Sequence, residues 1–179
     1  MADGETAEVG MIGREGIVGA SHLLGRSPVP TNCFIQMEAA ALRIPLSVFQ
    51  VAFRSSEEIR HRVLEYVQQQ SNDISQVAGC NRLHEAEARL ARWLLTAQDR
   101  IGSNLLDFTQ EYLAEMIGAQ RTTVTAIAGR LQQKGLIRYS HGHVTILSRS
   151  SLIEAACECY RITSDQHREL RQPDMVVAQ

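Results

Sequence analysis

Residues Thr109–Leu131, reading TQEYLAEMIGAQRTTVTAIAGRL, constrain what this chain can fold into more than any other stretch. Leu113, Met116 and Ile117 give an apolar stripe at helical spacing, Gly118 interrupts it, and Val124, Ile127, Ala128 and Leu131 begin a second. Ala114 stands where a closely crossing second helix needs a small side chain, and Val124 and Ile127 would fill the angle between the two. Thr109 is placed to cap the first helix, and Glu111 in its first turn suits the positive end of the helix dipole. These offsets predict a helix-turn-helix, the motif whose second helix lies in the DNA major groove.

An ordinary helical hairpin would share the bare pattern, and two further features separate the readings. The 38 residues from Met116 to Ile153 contain no Asp or Glu, yet hold Arg121, Arg130, Lys134, Arg138 and Arg149. Directly after the second helix, Leu136–Tyr139, a Ser-His-Gly turn and His143–Leu147 read as a β-hairpin, which makes a wing. A winged helix-turn-helix with a non-acidic reading surface points to double-stranded DNA as partner.

A net charge of −2 argues against a general polyanion binder, so the distribution of charge matters more than its sum. Residues 1–82 carry 7 basic and 9 acidic side chains, residues 83–150 carry 8 and 6, and residues 151–179 carry 3 and 5. The basic excess falls on the candidate DNA-binding segment alone. Cys33, Cys80, Cys157 and Cys159 are scattered with no C-x-x-C and no paired-histidine spacing, so no metal and no cofactor is expected. Cys157 and Cys159 fall on an expected helix and point to different faces, so shared ligation of one metal would require that turn to unwind. No signal peptide or 18-residue apolar run is present, and a cytoplasmic protein with no membrane partner is expected.

Residues 1–55 read as β-rich and glycine-punctuated: Ala7–Ile12 alternates, and Asn32–Met37 and Ala41–Ile44 offer further short strands around a loop at Pro28 and Pro30. So few strands leave edges unpaired. From Ser56 to about residue 80 the period is helical, and Ile59, Val63, Val67, Gln70, Ile74 and Val77 predict a seam for a dimerisation helix. Leu83–Gln98 is a second amphipathic helix, with Leu83, Ala86, Leu90, Trp93 and Leu94 inward and Arg89 and Arg92 outward. Leu105–Phe108 can pair with the wing, Leu152–Ile162 is a last helix, and Thr163–Gln179, with Pro173, reads as a loose tail. The expected units are therefore residues 1–55, 56–80, 81–150 and 151–179.

This order of parts resembles the Crp/Fnr (catabolite-activator and fumarate-nitrate regulator) family of bacterial transcription factors. The resemblance rests on Asn81–Leu95 (NRLHEAEARLARWLL), on Thr109–Leu136, and more loosely on Glu8–Gly19. It implies an α+β fold: a partial β-barrel sensor segment of the cyclic-nucleotide-binding kind, a long dimerisation helix and a C-terminal winged helix-turn-helix. It also implies a homodimer on a near-palindromic operator, with RNA polymerase as a further partner. The family's cyclic-nucleotide binders use a Gly-Glu and an Arg-Ser pair, where this chain has Gly19-Ala20-Ser21 and Pro30-Thr31. Without that arginine the cyclic phosphate has no bidentate partner. The N-terminal cysteine cluster of the oxygen-sensing branch is not there either.

Where the family's recognition helix commonly reads Arg-Glu-Thr-Val and then another basic residue, this chain has Arg121-Thr122-Thr123-Val124-Thr125-Ala126. Arg121 can address guanine O6 and N7, while Thr122 and Thr125 can meet a thymine methyl or an acceptor. Thr109, Gln110 and Thr123, with Arg138, His141 and His143 from the wing, are the expected phosphate contacts. A competing reading is an interaction protein that heterodimerises with a full-length relative and modulates it. No nucleophile elbow, phosphate loop or metal spacing supports an enzyme, and no catalytic residue is assigned. Titration with cyclic AMP or cyclic GMP is expected to release no heat at physiological concentrations, and saturable micromolar binding would contradict this account of the pocket.

Overall fold

The computed structural model describes residues 7–25, 28 and 31–171, with side chains through Arg168. After a 3₁₀ turn at Ala20–Leu23 the order is α1 (Leu46–Ser55), α2 (Glu57–Leu83), α3 (Ala86–Ile101), β1 (Leu105–Leu106), α4 (Gln110–Ile117), α5 (Arg121–Gln133), β2 (Ile137–Ser140), β3 (His143–Ile146), α6 (Arg149–Ala155) and α7 (Cys159–Arg171). The three strands form one antiparallel sheet in the order β1-β3-β2, with Leu106 opposite Val144 and Tyr139 opposite Val144 on the other side. The β part of this α+β fold is thus the wing and the strand that pairs with it.

At the centre lies α3. Leu90, Ala91, Trp93, Leu94, Leu95 and Ala97 are all buried, which covers most of the helix circumference. Three neighbours account for that. The helix-turn-helix packs on it through Leu113, Ile117, Val124, Ile127 and Leu131, the wing contributes Ile137, Val144 and Ile146, and α6 and α7 add Leu152 and Tyr160. Phe108 meets the Trp93 ring edge-on at 4.9 Å and stacks on Tyr112 at 5.3 Å, so an aromatic cluster joins α3 to the start of α4. Helix α3 ends at Gly102, whose φ of 75° only glycine adopts cheaply.

Four sequence expectations are corrected. Residues of the N-terminal segment form no strand among those described; Ala7–Ile12, Asn32–Met37 and Ala41–Ile44 run as irregular chain. A lone strand leaves its N–H and C=O groups unpaired, and here no neighbouring strand supplies partners. The segment instead lies along the helices: Trp93 Nε1 donates to Glu8, Glu15 pairs with Arg100, and Met11 and Met37 pack on the main core. That cover also explains Arg92, expected outside but only 6% exposed, whereas Leu83, expected inside, ends α2 and is 76% exposed.

The third correction concerns the single helix expected over Leu152–Ile162, which is two. Ala156 adopts extended backbone (φ −78°, ψ 154°), and α7 starts only at Cys159. Finally, the tail expected from Thr163 is helical as far as Arg171, because α7 docks on α2. Gln69 Nε2 donates to Gln166 Oε1 at 3.0 Å, and His167 Nε2 and Asp73 Oδ2 are 2.7 Å apart. Tertiary packing overrides a polar local composition here. Pro30 and Pro173 lie outside the described residues. Among the described residues, no helix is long and apolar enough to cross a membrane.

Leu94→Ala is expected to cost about 2–5 kcal/mol, because the removed methyls leave a cavity inside a helix enclosed by its neighbours. Urea unfolding should show the midpoint falling with the slope unchanged.

Candidate nucleic-acid interface

The helix-turn-helix is set by local chemistry at each joint. Thr109 Oγ1 accepts from Tyr112 N–H at 3.1 Å, capping α4. Gly118 (φ 60°) closes α4 with Ala119 N–H bonded back to Ala114 O at 2.9 Å, a Schellman ending that frees the chain to turn within two residues. Ala114 is buried at the crossing, as its size requires. Helix α5 then presents Val124, Ile127, Ala128 and Leu131 inward and leaves Arg121, Thr122, Thr123, Thr125 and Ala126 exposed.

At the far end of α5 the same device recurs. Gly135 (φ 71°) lets Leu136 N–H return to Leu131 O at 3.0 Å, and both leucines are buried. This directs β2 back along the helix. At the wing tip His141 (φ 50°) and Gly142 (φ 83°) are both left-handed, the pair of conformations a tight hairpin turn needs.

Thr109, Gln110, Arg121 and His141 come together with Glu111, Tyr139 and Gly142 around one shallow groove between α4, the start of α5 and the wing tip. Thr125 Oγ1 lies 2.6 Å from Gln110 Oε1 and 3.0 Å from Arg121 O, so its hydroxyl ties the reading helix to α4. Thr122, Thr123 and Arg138 are exposed outside that groove. His143 is engaged: its Nδ1 is 2.6 Å from Asp107 Oδ1 on the loop after β1.

Asp107 and Glu111 correct the expectation of a wholly non-acidic surface, since the fold brings both in from outside the acid-free stretch. Tyr139 was missed as well. Its hydroxyl donates to Phe108 O at 3.2 Å and its N–H to Gln132 Oε1 at 2.8 Å, so it braces the wing against the core. Burial pushes its phenol above the ordinary range.

The basic residues of the stretch divide into two groups. Glu87 on α3 holds Arg130 Nε at 2.6 Å and Lys134 Nζ at 2.8 Å, and these two hydrogen bonds keep its carboxyl below the usual range. Arg149 is held by Asp99 at 2.8 Å and by Gln98 and the Tyr160 hydroxyl. Arg121 and Arg138 are exposed and have no ion pair among the described residues. The cations left for an outside anion are therefore one at the start of the reading helix and one on the wing.

The expected dimer seam on α2 is split. Val63 and Val77 are buried within the chain, Val67 and Gln70 are half-buried, and Ile59 and Ile74 are exposed at 36% and 44%. Helix α2 turns Val63, Tyr66, Gln69, Val77 and Cys80 inward because α1 and α7 already cover that side. Besides Ile59 and the terminal Leu83, the apolar residues facing outward are Leu64 and Ile74, with the half-buried Val67 between them.

A helix-turn-helix closed by a three-stranded wing is a DNA-binding domain of the winged class. The comparisons with known proteins specify it further. Residues 88–155 match the Crp-like helix-turn-helix domain family, so the chain carries such a domain from within α3 to the end of α6. Crp/Fnr family transcriptional regulators are among its structural neighbours. One assigned to that family from Eubacterium rectale superposes with a TM-score of 0.50 at 24% identity, over 63% of this chain and 52% of that one. FixK2 of Bradyrhizobium japonicum gives 0.57 at 13% identity, over 62% and 58%. A Crp/Fnr family regulator of Thermus thermophilus gives 0.52 at 23% identity, over 56% and 55%. At these identities the likeness concerns the fold, and it spans a little over half the length of each solved relative. No curated protein matches by sequence.

Glu111→Gln is expected to tighten binding to DNA of any sequence several-fold, since it removes an anion from a groove that would face phosphate. The lost dipole interaction should cost only about 0.3–1 kcal/mol of stability. Fluorescence anisotropy against two unrelated duplexes, with a thermal melt alongside, checks both parts.

Proposed function

We propose that this chain is a sequence-specific transcriptional regulator of the Crp/Fnr type that binds a near-palindromic operator as a homodimer. One observation carries the reading. Arg130, Lys134 and Arg149 are bound internally, whereas Arg121 and Arg138 stand without an ion partner among the described residues, on the exposed parts of α5 and the wing. Arg121 heads the helix that this motif lays in the major groove, where its guanidinium reaches a guanine edge. Thr122 and Thr125 are the neighbouring base readers. Arg138, Thr109, Gln110, Thr123, His141 and His143 supply phosphate contacts, with His143 sharing its ring with Asp107.

In this reading residues 81–150 read DNA, 56–80 pair the protomers, 1–55 are a partial sensor segment, and 151–179 are the C-terminal part, whose α7 braces α2 against the DNA-binding domain. The pairing face is Leu64, Val67 and Ile74 rather than Val63 and Val77. Two reading helices then fall one helical turn apart on the duplex. The place of action is the cytoplasm, no catalysis is assigned, and RNA polymerase is the expected further partner.

Arg121→Ala is expected to lose about 1–3 kcal/mol per half-site on the preferred operator and to flatten the preference at one base pair. Arg138→Ala should weaken binding to all sequences alike and lower the salt slope by about one unit. Binding to single-base operator variants at two salt concentrations checks the assignment; unchanged base preference in Arg121→Ala would contradict it.

Leu64→Glu with Ile74→Glu should convert a dimer into a folded monomer with weakened operator binding. Sedimentation of the parent chain decides between readings. A parent that is monomeric alone but dimeric with a full-length relative would favour the heterodimer instead.

A further inference from the structure

Three of the four cysteines meet where α2 ends and the chain breaks between α6 and α7. Cys80 lies on the last turns of α2, and His84 follows it at the helix end. Cys157 lies within the non-helical step at residues 156–158 that separates α6 from α7, and Cys159 is the first residue of α7. All four ligand atoms lie within 4.8 Å of one another. Cys80 Sγ is 3.5 Å from Cys157 Sγ, and Cys159 Sγ is 3.5 Å from His84 Nδ1. Cys80, Cys157 and Cys159 are 1%, 8% and 1% exposed, and all are free thiols. These three sulfurs pack on one another and on Ala88, apart from the main apolar core.

From these positions we infer that Cys80, His84, Cys157 and Cys159 form a structural site for one zinc ion. Zinc holds sulfur at about 2.3 Å and nitrogen at about 2.0–2.1 Å, so a tetrahedral site has ligand–ligand edges of roughly 3.5–3.8 Å. The Cys80–Cys157 and Cys159–His84 separations, both 3.5 Å, sit at the lower end of that range. The surrounding groups match a metal's outer shell. Glu158 Oε1 is 3.1 Å from His84 Nε2, which fixes the ring so that Nδ1 faces the sulfurs. Gln76 Nε2 donates to Cys159 Sγ at 3.0 Å, a bond suited to a thiolate.

The ligand spacing is C-x₃-H on one helix and C-x-C across a break, rather than the paired C-x-x-C that zinc sites usually show. The unwound step at residues 156–158 is what allows Cys157 and Cys159 to turn toward one centre. On binding, the ion displaces the thiol protons of its three cysteine ligands to water and stays divalent. It ties the C-terminal end of α2 to the α6–α7 junction, so the element proposed to pair the protomers is fastened to the domain that reads DNA.

The full chain, expressed with zinc in the medium, freed of any histidine tag and kept reduced, tests this directly. Elemental analysis is expected to give one zinc per chain, and an organomercurial titration should release it stoichiometrically. Native thiol labelling should modify Cys33 and spare the other three. Replacing zinc by cobalt should produce the intense visible absorption of tetrahedral cobalt thiolate, altered in His84→Ala and retained in Cys33→Ser. Glu158→Ala should lower zinc affinity by about tenfold. Three results would overturn the inference: no zinc and no cobalt thiolate spectrum in the reduced parent chain, a Cys80–Cys157 disulfide in the protein as isolated, or iron and acid-labile sulfide in place of zinc. Each reading is independent of operator binding, so failure here leaves the DNA-binding proposal standing.

Discussion

Everything else in this fold depends on the burial of α3. A helix that hides Leu90, Ala91, Trp93, Leu94, Leu95 and Ala97 together has too little polar circumference to lie on a surface, so its neighbours must enclose it. The helix-turn-helix, the wing and the α6–α7 pair each take one side. The position of the reading helix is therefore a property of the core. Val124, Ile127 and Leu131 are pinned against that assembly, which leaves their helix no freedom to rotate Arg121 away from the outside.

Charge pairing then sorts which cations face outward. A stretch without Asp or Glu looks uniformly basic when written out, but Glu87 and Asp99 reach into it from α3 and engage Arg130, Lys134 and Arg149. These are half-exposed pairs, each worth at most about 1 kcal/mol of stability. Their larger effect is subtractive. By engaging three cations they leave two, and specific recognition benefits when non-specific phosphate attraction is limited. Glu87 holds its proton less readily than an ordinary glutamate, so this clamp is fully formed above the unfolded carboxyl range. It is lost only as pH falls through the still lower folded value.

How far the sequence was legible follows from which interactions are local. The cap at Thr109, the break at Gly118 and the hairpin of the wing involve residues a few positions apart, and all stand as read. The N-terminal strands did not form, because alternation states which face a strand would bury but cannot supply a neighbour to pair with. Arg92 and the split seam of α2 were misplaced for a related reason: helical periodicity marks an apolar face without saying what covers the others. The acids in the interface come from Asp107 and Glu111, outside the acid-free stretch. Of the cysteine cluster, the sequence placed Cys157 and Cys159 on one expected helix facing apart, and turning both toward Cys80 and His84 needed a helix break that composition does not announce.

The central claim is that α5 reads base sequence. Selection of bound duplexes from a random pool, using the purified chain alone, tests it most directly. The account predicts enrichment of a near-palindrome with a guanine in each half-site and half-site centres about 10 bp apart or a multiple of that. A pool that stays random after repeated rounds at physiological salt, while the protein still retains DNA, would contradict it.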